Sequence, residues 1–283
     1  MTKIREKAMH AVFLFSACVA IFGVLMICIF LFAEGIPALR EIGVFKFVFG
    51  KVWNPSADEY GVLPMILGSM YVTAGALVLG VPVGILTSVY LAMLCPVKLY
   101  RIIRPIIDIL AGVPSVILGL FGITVIVPAV RSIFGGWGSS ILAASVVLSI
   151  MILPTVISVA ESSLRALPTS YFEGALALGA TRERGAFSVM LPAASSGVAA
   201  AVVLGTGRAI GETMAVIMVA GNQSVMPSSI IKGVRTLTAN IAIEMGYAAG
   251  LHRDALVATG AVLFVFILLL NLLFSALTRR RER

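Results

Sequence analysis

Two opposite charges lie inside an otherwise apolar stretch, VVLGTGRAIGETMAVIMVAG, whose only charged residues are Arg208 and Glu212. A spacing of four places both on one face of a helix, where they can pair. Each charge costs roughly 2.5–3.5 kcal/mol at the centre of a membrane helix. Two interpretations follow, a structural ion pair or a pathway for an anionic substrate. We favour the pathway, because a planar guanidinium donates two parallel hydrogen bonds to an oxyanion and pairing seldom returns the desolvation cost.

Other chemistries find no support in the sequence. There is no His-Glu-x-x-His motif and no Gly-x-x-x-x-Gly-Lys-[Ser/Thr] loop, and the two histidines, His10 and His252, lie at the ends of apolar segments. The three cysteines, Cys18, Cys28 and Cys95, have no close Cys or His neighbours in sequence and indicate buried thiols. We therefore expect a non-enzyme without catalytic, cofactor-binding or metal-binding residues; a membrane enzyme and a passive channel remain the alternatives.

The composition of the chain is that of a membrane protein rather than of a soluble one. Of its 283 residues 60% are hydrophobic and 12% are charged, with a mean hydropathy of +1.08, whereas soluble domains carry roughly 25% charged residues. Apolar runs long enough to span a bilayer recur along the chain, and the first reads as a retained helix rather than a cleaved signal. We predict one all-α membrane domain over 1–283 with about six transmembrane helices. The predicted spans are 8–33, 63–94, 106–130, 139–160, 193–221 and 255–277.

The distribution of positive charge predicts the orientation. Segments on the side of the N-terminus hold 13 of the 21 Lys and Arg residues, and the opposite side holds seven. By the positive-inside rule both termini are cytoplasmic. Segments 34–62 and 222–254 are then external, and 161–192 is a cytoplasmic loop. Within the spans, the sequence Gly80-x-x-x-Gly84 and the sequence Gly207-x-x-x-Gly211 would allow close helix packing. Prolines predict kinks or breaks in helices 2 to 4.

The cytoplasmic loop reads PTSYFEGALALGATRERGAFSVMLP over 168–192. Pro168 with Thr169 or Ser170 is a helix-start signal. The residues from Tyr171 to Leu178 then give a short helix, which Gly179 ends because glycine accepts a left-handed conformation. A second short helix leads from about 181 to Met190. Two short helices joined at a glycine could lodge in a groove of a partner. Near the neighbouring helix ends, Asp108 beside Arg104, and Glu161, are expected to form interfacial ion pairs.

This loop resembles the "EAA" loop of ABC importer permeases, whose pattern is Glu-Ala-Ala, three residues, Gly, nine residues, Ile-x-Leu-Pro. The matching positions are Glu173, Ala175, Gly179, Leu191 and Pro192, with departures at Gly174 and Val189. The resemblance implies a type I ABC importer permease-like bundle in which this coupling loop docks onto an ATPase subunit. Such a coupling surface argues against a passive channel.

A second resemblance covers nearly the whole chain. The string Arg-Ala-Ile-Gly-Glu-Thr-Met-Ala at 208–215 resembles the signature of phosphate-specific (Pst) ABC importer permeases, and its continuation to Asn222 resembles the PstC-type subunit. Further similar stretches are Trp53-Asn54-Pro55, the segment 60–69 and the segment 110–115.

This second resemblance implies function and partners. It implies uptake of inorganic phosphate across the cell inner membrane, with ATP hydrolysis in a separate subunit. The implied partners are a PstA-type permease forming a heterodimer, PstB-type ATPases, a PstS-type extracytoplasmic phosphate-binding protein and the lipid bilayer, without nucleic acid. Sulfate or molybdate is the alternative anion.

Overall fold

A computed structural model describes residues 2–281 and is almost entirely helical. The first half of the chain forms α1 (Thr2–Ile42), α2 (Val44–Phe49), α3 (Leu63–Val89), α4 (Val97–Gly112), α5 (Ser115–Phe121), α6 (Val127–Phe134) and α7 (Ile141–Arg165). The second half forms α8 (Thr169–Ala177), α9 (Arg182–Gly185), α10 (Leu191–Ala193), α11 (Ser195–Gly211), α12 (Met214–Val219), α13 (Leu237–Glu244) and α14 (Leu251–Arg281). Short π-helical turns extend α3 to Leu94, join α5 to α6 and join α9 to α10.

Helix α7 lies at the centre of the bundle and is its most buried span. Helix α3 packs along it at small residues: a Cβ on Gly80 would lie 2.9 Å from the Cδ1 of Ile152, and one on Gly84 would lie 2.7 Å from Val156. The predicted close approach at Gly80 and Gly84 is therefore confirmed. Helix α11 packs on α7 as well, with Gly205 against Val156.

The outer helices present apolar side chains to their surroundings. Helix α1 packs mainly against α14, with Phe32 and Phe264 edge to face, and most other side chains described in α1 are exposed. Five helical segments are long and apolar enough to cross a membrane: Met9–Ile42, Leu63–Leu94, Ser115–Phe134, Ile141–Arg165 and Leu251–Leu273. A sixth is a pair of helices bent by 74°, Arg182–Ala193 and Ser195–Gly211. The prediction of an all-α membrane protein with about six spans is confirmed.

Several boundaries differ from the predicted spans. The structure starts a helix at Val97, ends it at Gly112 and restarts after Pro114, so the proline break expected in the third span is present. Pro82 and Pro154, in contrast, lie inside continuous helices. The predicted fifth span, 193–221, is not one helix: it ends at Gly211 and resumes at Met214.

Two segments outside the candidate spans close over the same end of the bundle. The first contains α2 and a small antiparallel hairpin of β1 (Trp53–Asn54) and β2 (Glu59–Tyr60), in which Trp53 pairs with Tyr60. The second runs from Gly221 to Gly250 and contains α13. Residues of both segments share one hydrophobic cluster, which includes Trp53, Tyr60 and Leu237.

Candidate functional site: a broken span and a coupling loop

The break between α11 and α12 is built by Glu212. Its backbone is extended (φ −71°, ψ 128°), and its carbonyl oxygen accepts a hydrogen bond from the Thr238 hydroxyl (3.1 Å). Its carboxylate Oε1 accepts the backbone N–H of Ala215 (3.0 Å) in the first turn of α12. The first turn of a helix has backbone N–H groups without an intrahelical partner. The Glu212 carboxylate binds one of these groups in α12, which offsets part of the cost of breaking the helix.

Arg208 lies one turn before this break and is exposed on the surface of the chain. The expected pairing with Glu212 is not present, since no ion pair joins the two side chains in the described part of the chain. The physical reason is the break itself, which removes Glu212 from the helical turn that would bring it under Arg208. Glu212 is half-buried and is directed to Ala215 instead.

Two glycines, Gly207 and Gly211, flank Arg208 on α11. A Cβ on Gly207 or on Gly211 would meet nothing within 4 Å, so within this chain these glycines do not serve the close packing that their spacing predicted. Leu204 on α11 and Met214 at the start of α12 are exposed as well. The broken span therefore presents one arginine on a surface of small and apolar residues.

The loop between α7 and α11 has the two-helix form that its sequence predicts. Helix α8 ends at Ala177, and Gly179 has φ +86°, the left-handed conformation that favours glycine. Thr181 then starts α9 by accepting the N–H of Arg184 at 3.3 Å. The tip is exposed, with Leu178 at 91%. Glu173 and Pro192 are exposed, Leu191 is half-buried and Ala175 is buried.

The inner side of this loop is packed against the end of α3. One hydrophobic cluster joins Val89 and its neighbours to Leu164, Ala186 and Met190, with Phe172 and Leu191 against it. Phe172 also lies over Gly185, where a Cβ would lie 3.1 Å from its ring. The two short helices therefore pack as one unit with the adjoining span ends.

A cluster at the opposite end of the bundle was missed by the sequence analysis. The carboxylate of Glu244 is almost fully buried and accepts from the Trp53 indole (2.9 Å), the His252 ring (2.8 Å) and the Arg235 guanidinium. Arg235 also donates to the carbonyl oxygen of Asn222 at 3.0 Å. These partners lie far apart in sequence, so no local spacing indicates them. Glu244 thereby joins the segment of the β1–β2 hairpin and the segment from Gly221 to Gly250 to the start of α14.

A cavity of about 500 Å³ opens beside this cluster. It is lined by Asp58, Tyr60, Glu244, Tyr247 and His252 together with less polar neighbours. Burial raises the pKa of Tyr60 above its usual value, and the hydrogen bond to Asp58 (3.3 Å) raises it further. Across residues 2–281, no group of three or more His, Cys, Asp or Glu side chains is arranged to hold a metal ion.

A bundle of six apolar spans, one of them broken next to an arginine, and an exposed helical loop at one end define a multi-pass membrane permease. The chain belongs to the family of binding-protein-dependent transport system inner membrane components, which it matches over residues 80–283.

Relatives extend this similarity over most of the chain. A probable ABC transporter permease protein, YqgH, of Bacillus subtilis is 38% identical over 94% of this chain and 88% of its own length. The phosphate transport system permease protein PstC of Mesorhizobium japonicum is 34% identical over 86% of this chain and 81% of its own length.

Solved structures support the fold. A bacterial alginate ABC transporter aligns over 94% of both chains with a TM-score of 0.64 at 15% identity. The inward-facing MetNI methionine ABC transporter covers 79% of this chain and 95% of its own, with a TM-score of 0.59 at 24% identity. At these identities the likeness concerns the fold, which is that of type I ABC importer permeases.

Proposed function

We propose that this chain is a transmembrane permease subunit of an ATP-binding-cassette importer that carries inorganic phosphate into the cytoplasm. The observation that carries the proposal is Arg208, exposed on a glycine-rich face next to a break in an apolar span. A charge is costly there and is retained where it serves a pathway. Phosphate is proposed as the transported anion because several relatives are named phosphate transport system permease protein.

The substrate pathway runs along the face of α11 that bears Arg208. Gly207 and Gly211 leave room beside the guanidinium for an anion, and Glu212 shapes the break just beyond it. A second permease subunit of the PstA type faces this surface and completes a heterodimeric pathway. Arginine is suited to an oxyanion because it offers paired donors without being deprotonated.

The loop 161–192 is the coupling surface to the ATPase. Its exposed tip and Glu173 dock onto a PstB-type subunit, which hydrolyses the ATP, so that this chain has no catalytic role of its own. The chain lies in the cell inner membrane with both termini in the cytoplasm. The segments 34–62 and 222–254 then face a PstS-type phosphate-binding protein outside.

The decisive experiment is uptake of radiolabelled phosphate by a strain that lacks its own importer and expresses this chain with its partner subunits. We expect ATP-dependent uptake that excess unlabelled phosphate abolishes. Excess sulfate or molybdate should leave it unchanged. Competition by sulfate or molybdate, in place of phosphate, would reassign the anion, and uptake without the ATPase subunit would contradict the importer assignment.

A further inference from the structure

A second buried carboxylate, Glu161, lies at the end of the bundle that carries the loop. Its side chain is only 3% exposed, and it bonds to two arginines: Arg104 on α4 (2.7 Å) and Arg165 on its own helix (2.8 Å). The ion pairs expected for Glu161 and for Asp108 with Arg104 are therefore confirmed. Asp108 contacts the same Arg104 at 3.1 Å but is 56% exposed.

These contacts tie three elements to the base of the loop. Arg165 is the last residue of α7, four positions before α8 begins, and it donates to the carbonyl oxygen of Leu91 at the end of the α3 span (2.8 Å). Its guanidinium also lies over the Tyr100 ring of α4, 4.7 Å from the ring centroid. Arg104 donates a further bond to the Ser158 hydroxyl at 3.1 Å. The polar attachment of α4 to α7 is thus concentrated at Glu161.

Helix α4 leads directly to the broken span. It ends at Gly112, and after the extended pair Val113 and Pro114 the chain continues as α5. There α5 packs tightly against α12: a Cβ on Gly119 would lie 3.0 Å from the Cα of Ala215. Ala215 is the residue whose N–H binds the Glu212 carboxylate. Helix α4 is therefore followed directly by α5, which lies against the first turns of α12 beyond the break.

We infer that Arg104 and Glu161 form a positioning pair that transmits movement of the coupling loop through α4 and α5 to the break at Glu212. This inference rests on the proposed function. It assigns a role to two residues that lie outside both the loop motif of 173–192 and the sequence around Arg208. A carboxylate that is only 3% exposed and held by two charged donors is rigid, because both of its bonds are charge-assisted. Rigidity is what a transmitting contact requires.

The test variant is Arg104→Gln, because it removes the ion pair between α4 and Glu161 while Glu161 keeps Arg165 as its charged partner. The matched control is Asp108→Asn, which removes the exposed partner of the same arginine. Assembled complexes with the ATPase and the second permease subunit are reconstituted in vesicles, and phosphate uptake and ATP hydrolysis are measured together.

For Arg104→Gln we expect normal assembly, hydrolysis within about twofold of wild type and a fall of about tenfold in phosphate carried per ATP, the scale of one charge-assisted hydrogen bond. Arg104→Lys should restore part of the ratio of phosphate carried to ATP hydrolysed, since lysine keeps the positive charge but lacks the paired donors of the guanidinium. Asp108→Asn should keep the wild-type ratio.

A wild-type ratio in Arg104→Gln would overturn the inference, and so would an equal fall in uptake and hydrolysis. Loss of the protein from the membrane would also overturn it, because Arg165 would then not suffice to hold Glu161. A wild-type complex that hydrolyses ATP without carrying phosphate would instead refute the proposed function, so the two failures are distinguishable.

Discussion

The carboxylate of Glu212 accepts the backbone N–H of Ala215 at 3.0 Å, so this side chain caps α12 across the break in the span. Glu212 therefore has a structural role as a hydrogen-bond acceptor, and this role does not depend on its negative charge. Removing the acceptor leaves a donor in the first turn of α12 without a partner.

Glu212→Ala should therefore lower stability by about 0.5–2 kcal/mol, the range measured for lost N-terminal caps. Glu212→Gln keeps an acceptor oxygen and should change stability much less. Thermal unfolding of both variants in detergent measures the difference. Equal midpoints for the alanine and glutamine variants would contradict the capping role.

Gly179 offers a test of the coupling loop. With φ +86° a leucine there is strained by about 1–2 kcal/mol. The variant Gly179→Leu should remain in the membrane while ATPase binding and phosphate uptake fall together. Gly174→Ala is the matched control, because Gly174 lies in α8 with nothing within 4 Å of its Cβ position. Co-purification of the ATPase with each variant provides the measurement; normal binding by Gly179→Leu would remove the docking assignment.

Glu244 should be a determinant of stability at the other end of the bundle. Glu244→Gln leaves Arg235 without its buried counter-charge, which we expect to cost up to about 3 kcal/mol. The exposed Glu59→Gln should stay within about 0.5 kcal/mol of wild type. Unfolding midpoints compare the two variants. A midpoint for Glu244→Gln as high as that of Glu59→Gln would show that the cluster is not stabilising.

The orientation of the chain can be tested with single cysteines in a background without Cys18, Cys28 and Cys95. Ser56, Ser228 and Ser170 are all exposed, so that labelling reports the side of the membrane and not burial. Ser56→Cys and Ser228→Cys should react with an impermeant maleimide in intact cells. Ser170→Cys should react only after lysis. The reverse pattern would invert the whole topology.

Much of this architecture is encoded locally. Composition alone indicates a membrane protein. Gly179 predicts a turn, because few other residues accept its positive φ, and the spacing of Gly80 and Gly84 predicts a close contact between helices. The break at Glu212 has no such signal, because no proline interrupts 195–221. It depends on the Thr238 hydroxyl, 26 residues further on.

The Glu244 cluster is equally invisible to local pattern analysis. Its bond to Trp53 joins residues 191 positions apart, and its other donors come from the segment after α12 and from the start of α14. Such clusters are determined by tertiary packing. A sequence read segment by segment therefore predicts the number of spans and the form of the loop, but not the polar contacts that join their ends.

Variants of Arg208 test whether this residue belongs to a transport pathway or has only a structural role. If its guanidinium binds the passing anion, Arg208→Gln should abolish uptake at normal membrane levels, and Arg208→Lys should impair it because a point charge lacks paired donors. The double variant Arg208→Gln/Glu212→Gln separates the alternatives. Were the two residues only a structural pair, removing both charges at once would be tolerated or stabilising.

In the structure the two side chains are not paired, and Arg208 is exposed on its glycine-rich face while Glu212 caps α12. We therefore expect the double variant to fold and assemble, to keep the cap through the glutamine oxygen, and to lose phosphate uptake as fully as Arg208→Gln alone. Uptake is measured beside the Glu212→Gln single variant, which controls for the break. Full uptake by the double variant would leave Arg208 without a role in the pathway.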